Sequence, residues 1–161
     1  MVRVLRTIVE KGHCRFADRA ESWQEAVRLS TQCLVADGSV TEDYCLQIIR
    51  SIEKYGPYVV FDHYVAMPHS QESTTGVSRS GIGFLRLKEA VSFGTDADGV
   101  EKQAKLLFTL AVCDPEEHLN NIQQLAEIFS SPELLGALIA ANTPEDILAV
   151  DARYFGGTEN V

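Results

Sequence analysis

Apolar residues recur at helical spacing twice in the first third of the chain. Trp23, Ala26, Val27, Ser30, Cys33 and Leu34 share one face. The capping pattern Ser22-Trp23-Gln24-Glu25 opens that helix and Asp37-Gly38 closes it. A second stripe, Tyr44, Ile48, Ile49 and Ile52, follows Thr41 as N-cap, carries Lys54 in its last turn and stops at Gly56-Pro57. Strand-like runs come next, at 58–61 and 65–67. GIGFLRL, at 81–87, alternates Ile82 and Phe84, then Leu85 and Leu87, with a slip between the pairs. Val91 and Phe93 predict a further short strand. KLLFTLAV, at 105–112, is almost continuously apolar and predicts a buried strand. Asp114-Pro115, Ser131-Pro132 and Thr143-Pro144 each join an N-cap residue to a proline at the first helical position, so three successive helices are expected. The first twenty residues carry no clear period, and FGGTENV at the end predicts a frayed tail.

This order, two helices, several strands and then helices, predicts an α/β fold. We expect a single layered domain over residues 1–161, with a mixed β-sheet flanked by helices on both faces. At 161 residues and 45 % hydrophobic composition the chain is long enough to bury one core. No apolar run reaches membrane-spanning length, and the N-terminus lacks the features of a signal peptide. A net charge of −9 with scattered basic residues argues against nucleic acid and anionic membrane as partners. Cys14, Cys33, Cys45 and Cys113 form no CxxC pair or structural zinc spacing, which points to a reducing, cytoplasmic compartment.

Four histidines carry the candidate chemistry: His13, His63, His69 and His118. Pro68 ends a strand rigidly, and His69 follows it at the head of the polar loop SQESTTG. Ser70, Gln71, Ser73, Thr74 and Thr75 give that loop hydroxyl, amide and backbone donors suited to an anion. On spacing alone a polar surface loop is the plainer reading. His118 falls in the first turn of its helix on one stripe with Ile122, Leu125 and Phe129, so it faces the protein body at a helix N-terminus that favours anions. A core histidine with one hydrogen bond would look the same. His63 and His69 lie about 20 Å apart on an extended run, so no metal site is expected. Cys113 close to His118 reads as a buried cysteine sooner than as a Cys-His pair. There is no GxSxG, GxGxxG or P-loop.

Taken together, EKYGPYVVF and VAMPH, then GVSRSGIGFLRLKEAVSFG, then LLFTLAVCDPEEHLNNIQQLAEIF resemble the IIA component of the bacterial phosphoenolpyruvate:sugar phosphotransferase system, mannitol/fructose type. EKYGPY and WQEAVRL look most like its ascorbate-specific branch. The resemblance implies a cytoplasmic phosphocarrier without a cofactor or metal. His69 would take a phosphoryl group from phospho-HPr and pass it to a cysteine of a IIB partner. His118 would stabilise that group, and the membrane would enter only through a IIC component. Mannitol-type members carry an arginine ahead of the Pro-His pair, where this chain has Glu53 beside Lys54; Arg79 is a candidate substitute, with Ser70, for phosphoryl binding. The additional His63 and the loop SQESTTG also depart from the family's usual run. A regulatory IIA-like domain and a non-catalytic interaction domain stay open as alternatives, as do the sugar and the oligomeric state.

Overall fold

A computed structural model describes residues 3–71 and 75–156. In chain order the elements are α1 (Val4–Glu10), β1 (Cys14–Ala17), α2 (Trp23–Ala36), α3 (Glu42–Tyr55), β2 (Val60–Phe61), β3 (Val65–Ala66), β4 (Gly81–Thr95), β5 (Glu101–Ala111), α4 (Pro115–Phe129), α5 (Pro132–Ala140) and α6 (Pro144–Phe155). The five strands form one sheet in the order β1-β4-β5-β3-β2. The β1/β4 and β3/β5 pairs are parallel; the β4/β5 and β2/β3 pairs are antiparallel. The sheet is therefore mixed, as expected.

Both sheet faces are buried, which accounts for the slip in GIGFLRL. Leu85 and Leu87 join the cluster under α2 and α3, whereas Ile82 and Phe84 join the cluster under α1, α4, α5 and α6. Strand β5 divides in the same way, with Leu107 and Ala111 on one face and Leu106, Phe108 and Leu110 on the other. Phe84 and Phe108 are almost fully buried and meet edge to face at 5.2 Å. Each contributes about 1.5–3 kcal/mol of apolar burial. Helix α2 approaches the sheet so closely that a Cβ on Gly83 would sit 1.9 Å from the Ser30 carbonyl oxygen. The same approach brings Ser30 Oγ within 2.5 Å of Thr109 Oγ1, a buried hydroxyl pair.

Several expected boundaries shift, for identifiable reasons. The run around Val91 and Phe93 is no separate strand: it continues β4, with the register broken between Arg86 and Val91. The run at 58–61 pairs only from Val60, because 57–59 form the turn out of α3. Ser22 caps α2 through Glu25 N–H, but the Glu25 carboxylate accepts from Glu21 N–H at 2.7 Å instead of closing the box on Ser22. Thr41 makes no side-chain cap bond to α3; its backbone N–H is tied to Gly76 O at 2.9 Å. Ser131 and Thr143 cap α5 and α6 as expected, and α6 has a complete capping box. The unforeseen helix α1 has no side-chain cap of its own; the Gln124 amide oxygen of α4 accepts from Val4 N–H at 2.7 Å.

Candidate active site at one sheet edge

Parallel pairing of β3 with β5 brings their C-terminal ends to one edge of the sheet. Strand β4 runs antiparallel to β5, so it starts at that edge, and β1, parallel to β4, starts there too. Across the edge stand His13 ahead of β1, Ser80 ahead of β4, Val112 after β5, and Pro68-His69 after β3. The topology gathers at one rim residues that are far apart in sequence.

The backbone around His69 is held on both sides. Met67 N–H donates to Val59 O at 2.8 Å, and Pro68 O accepts from Leu110 N–H at 2.9 Å. Pro68 has no proton to donate, so its carbonyl carries the last ladder bond before the chain leaves the sheet. His69 is half-buried. Its Nδ1 donates to Met67 O at 2.7 Å, since a carbonyl only accepts. That bond fixes the tautomer and leaves the lone pair on Nε2. Tyr58 meets the His69 ring edge to face at 5.3 Å, and its hydroxyl bonds to His69 O. The same hydroxyl lies 3.0 Å from Ser51 Oγ, which also accepts from Gln71 N–H at 3.1 Å. Burial raises the Tyr58 pKa, partly offset by Ser51, so the phenol remains a donor.

His118 arrives from the neighbouring strand. Three residues separate β5 from α4. Ser80 Oγ accepts from both Cys113 N–H at 2.8 Å and Asp114 N–H at 3.0 Å, pinning the turn to the start of β4. Asp114 caps α4 by accepting from Glu116 N–H at 3.0 Å. His118 then lies in the first turn, half-buried, and its Nδ1 is buried without a hydrogen-bond partner. Ile122, Leu125 and Phe129 continue its stripe and line a shallow pocket together with Met67, two residues before His69. Both imidazoles thus belong to the same rim, and among the described residues no hydrogen bond joins them. The rim offers a lone-pair nitrogen after β3, an unpartnered imidazole nitrogen after β5, and the positive end of helix α4. That combination suits handling of an oxyanion.

Comparison with known proteins decides the family. Residues 7–151 match the family described as phosphoenolpyruvate-dependent sugar phosphotransferase system, EIIA 2. The chain belongs to this EIIA family. It is 32 % identical over 144 residues to the ascorbate-specific PTS system EIIA component of Escherichia coli (strain K12), covering 88 % of this chain and 90 % of that protein. A PTS IIA domain of known crystal structure from Streptococcus pyogenes M1 GAS superposes with a TM-score of 0.79 at 34 % identity, over 95 % of this chain and 96 % of the other. The fold is also that of Escherichia coli enzyme IIA mannitol in its complex with phosphorylated enzyme IIB mannitol. There the TM-score is 0.70 at 23 % identity, over 88 % and 94 % of the two chains. This EIIA chain is therefore a phosphotransferase-system component of the phosphocarrier family, with the layered fold expected from its sequence.

The other candidate residues of this EIIA are placed as follows. Ser70 is half-buried directly after His69, and its backbone reaches the Tyr44 phenol. Burial pushes the pKa of that phenol up to about 12. Gln71 is exposed, Thr75 is exposed, and Ser73 and Thr74 lie outside the described residues. Arg79 is engaged elsewhere: its guanidinium bonds to Asp37 O and stands 3.7 Å from the Asp37 carboxylate. A phosphoryl-binding role would require it to leave that pairing. His63 is exposed, with φ of 67°, in the turn that joins β2 to β3. It sits at the end of β3 opposite His69, and among the described residues no three His, Cys, Asp or Glu side chains cluster as metal ligands. Cys113, expected to be buried, is exposed. Its Sγ contacts Ser80 and Ser78 at 3.6 Å rather than His118, because the chain has already left the sheet at Ala111. Sequence reasoning missed Tyr58, Ser51 and Ser80. Ser51 left one trace, as a polar residue within the apolar stripe Ile48, Ile49, Ile52.

Proposed function

We propose that His69 is the phosphoryl acceptor of this EIIA chain and that Nε2 is the nitrogen modified. The observation that carries the proposal is the Nδ1–H bond from His69 to Met67 O, which reserves the lone pair for Nε2 at the rim of the sheet. In the first step the Nε2 lone pair attacks the phosphorus of a phosphohistidine on HPr. A new N–P bond forms as the donor's N–P bond breaks, and the donor imidazole leaves with that electron pair. The His69 ring gains positive charge, and Met67 O, accepting from the retained Nδ1–H, stabilises it. In the second step a cysteine thiolate of a IIB partner attacks the phosphorus, and His69 departs as a neutral imidazole, a good leaving group. No nucleotide or metal enters either step. Phosphoryl transfer of this kind depends mainly on positioning and charge stabilisation. His118, with its unpartnered imidazole at the N-terminal turn of α4, serves as the group that stabilises the phosphoryl oxygens.

The identity to ascorbate-specific EIIA proteins supports ascorbate uptake as the process served, with the chain in the cytoplasm and the membrane reached only through IIC. No helix among the described residues is long and apolar enough to cross a membrane. Incubation with phosphoenolpyruvate, enzyme I and HPr tests the acceptor. We expect an acid-labile, base-stable adduct, absent in His69→Ala and formed but passed on slowly in His118→Ala. Labelling that survives in His69→Ala would refute it. Preferential transfer to an ascorbate-type IIB over a mannitol-type IIB tests the substrate; equal transfer to both would remove that part of the reading.

A further inference from the structure

A cavity adjoins the same edge of the sheet. It has a volume of about 650 Å³ and lies between α1, the start of β4 and the first turns of α4. His13 lines it, with a side chain only 4 % exposed. Its Nε2 lies 2.6 Å from Asp37 Oδ2. A carboxylate at that distance accepts the Nε2–H, so the lone pair of the neutral ring is on Nδ1. Nδ1 has no hydrogen-bond partner among the described residues, and Asp37 stands outside the cavity. A buried imidazole is thus held by one edge, while the lone pair on its other edge has no partner among the described residues.

The rest of the lining selects the chemistry of an occupant. Ile8 and Ile82 form an apolar floor. Lys11 and the Asn121 amide supply donors, while Glu116 and Glu117 join His13 Nδ1 as acceptors; Glu10 is already paired with Arg6 at 3.0 Å. An anion such as a phosphate ester would meet these carboxylates at close range. A simple cation would leave Lys11 and Asn121 facing a like charge or nothing. Hydroxyl groups both donate and accept, and they satisfy this mixed rim above an apolar floor.

We propose that this cavity binds a neutral polyhydroxylated molecule of monosaccharide or polyol size, one hydroxyl of which donates to His13 Nδ1. The occupant bridges α1 to α4. The proposal does not depend on His69 being the phosphoryl acceptor. ¹H–¹⁵N NMR of the full chain tests it, with sorbitol and D-glucose as neutral probes and D-glucose 6-phosphate and 1,4-diaminobutane as charged ones. Saturable shifts at Lys11, His13, Gly81 and Asn121 are expected with a neutral probe, with a Kd of about 1 mM. His13→Phe and Asn121→Leu should each raise that Kd about tenfold or more. Asn121→Leu keeps the test valid if the buried His13 replacement does not fold. The proposal is overturned if neither neutral probe gives saturable shifts up to about 50 mM, if a charged probe binds more tightly, or if Asn121→Leu binds as wild type.

Discussion

The imidazole Nδ1 of His69 is bonded to the carbonyl oxygen of Met67, two residues back, at 2.7 Å. Pro68 lies between them and locks the intervening φ, so the bond is a local consequence of the Met67-Pro68-His69 run at a strand end. That bond assigns the two ring nitrogens different roles. One is held as a donor to the backbone; the other keeps its lone pair.

Tyr58 supports that arrangement from below. Tyr58→Phe keeps the ring packed on His69 but removes the hydroxyl that bonds His69 O and lies against Ser51. We expect a loss of about 1 kcal/mol in urea unfolding and slower phosphoryl transfer, with labelling of His69 retained. Stability and transfer rate both equal to wild type would show that the hydroxyl holds nothing.

Ser80 acts at the other histidine. Ser80→Ala removes the acceptor of both Cys113 N–H and Asp114 N–H, the bonds that fix the start of α4. Hydrogen exchange at those two amides should accelerate, and onward transfer should slow while overall stability falls by only about 1 kcal/mol. Ser80→Thr, which restores the hydroxyl, should recover the rate. Unaltered exchange at both amides would contradict this role.

Much of the fold was legible in the chain because its signals are local. The three cap-proline starts of α4, α5 and α6 and the stripes of α2 and α3 each carry their own punctuation. What escaped depends on distant partners. Helix α1 is capped by Gln124, and β1 is a four-residue strand defined by its pairing with Phe84 to Leu87. The site divides along the same line. His69 and His118 have sequence contexts that mark them, a proline and a helix start. Tyr58, Ser51 and Ser80 act through contacts that only the fold creates.

Gly83 tests the packing of α2 on the sheet. In Gly83→Ala the new Cβ meets the Ser30 carbonyl at 1.9 Å, and backbone cannot rotate away as a side chain can. Helix α2 must shift, so a loss of about 3 kcal/mol is expected in chemical denaturation. A loss under about 1 kcal/mol would mean that α2 sits further from the sheet than described.

Asp37 sets an acid limit on stability. Partial burial raises its pKa, but the Ser39 hydrogen bond and His13 outweigh this and lower it from 3.8 to about 2. The folded state therefore favours the ionised carboxylate. Its stabilisation is fully present above the ordinary carboxylate value near 4 and is lost as pH falls through 2. Asp37→Asn should flatten the stability profile between pH 4 and 2, measured by urea unfolding, relative to wild type. Parallel profiles for the two proteins would remove Asp37 from the acid transition. The carboxylate is 39 % exposed, so the effect is modest and shrinks in salt.

The most direct measurement is ³¹P and ¹⁵N NMR of the chain labelled on histidine and phosphorylated by phosphoenolpyruvate, enzyme I and HPr. A single phosphoryl group on Nε2 of His69, with Nδ1 still protonated and no signal from His69→Ala, is the predicted result. A phosphoryl group on Nδ1 of His69, or on His13, His63 or His118, would contradict the account.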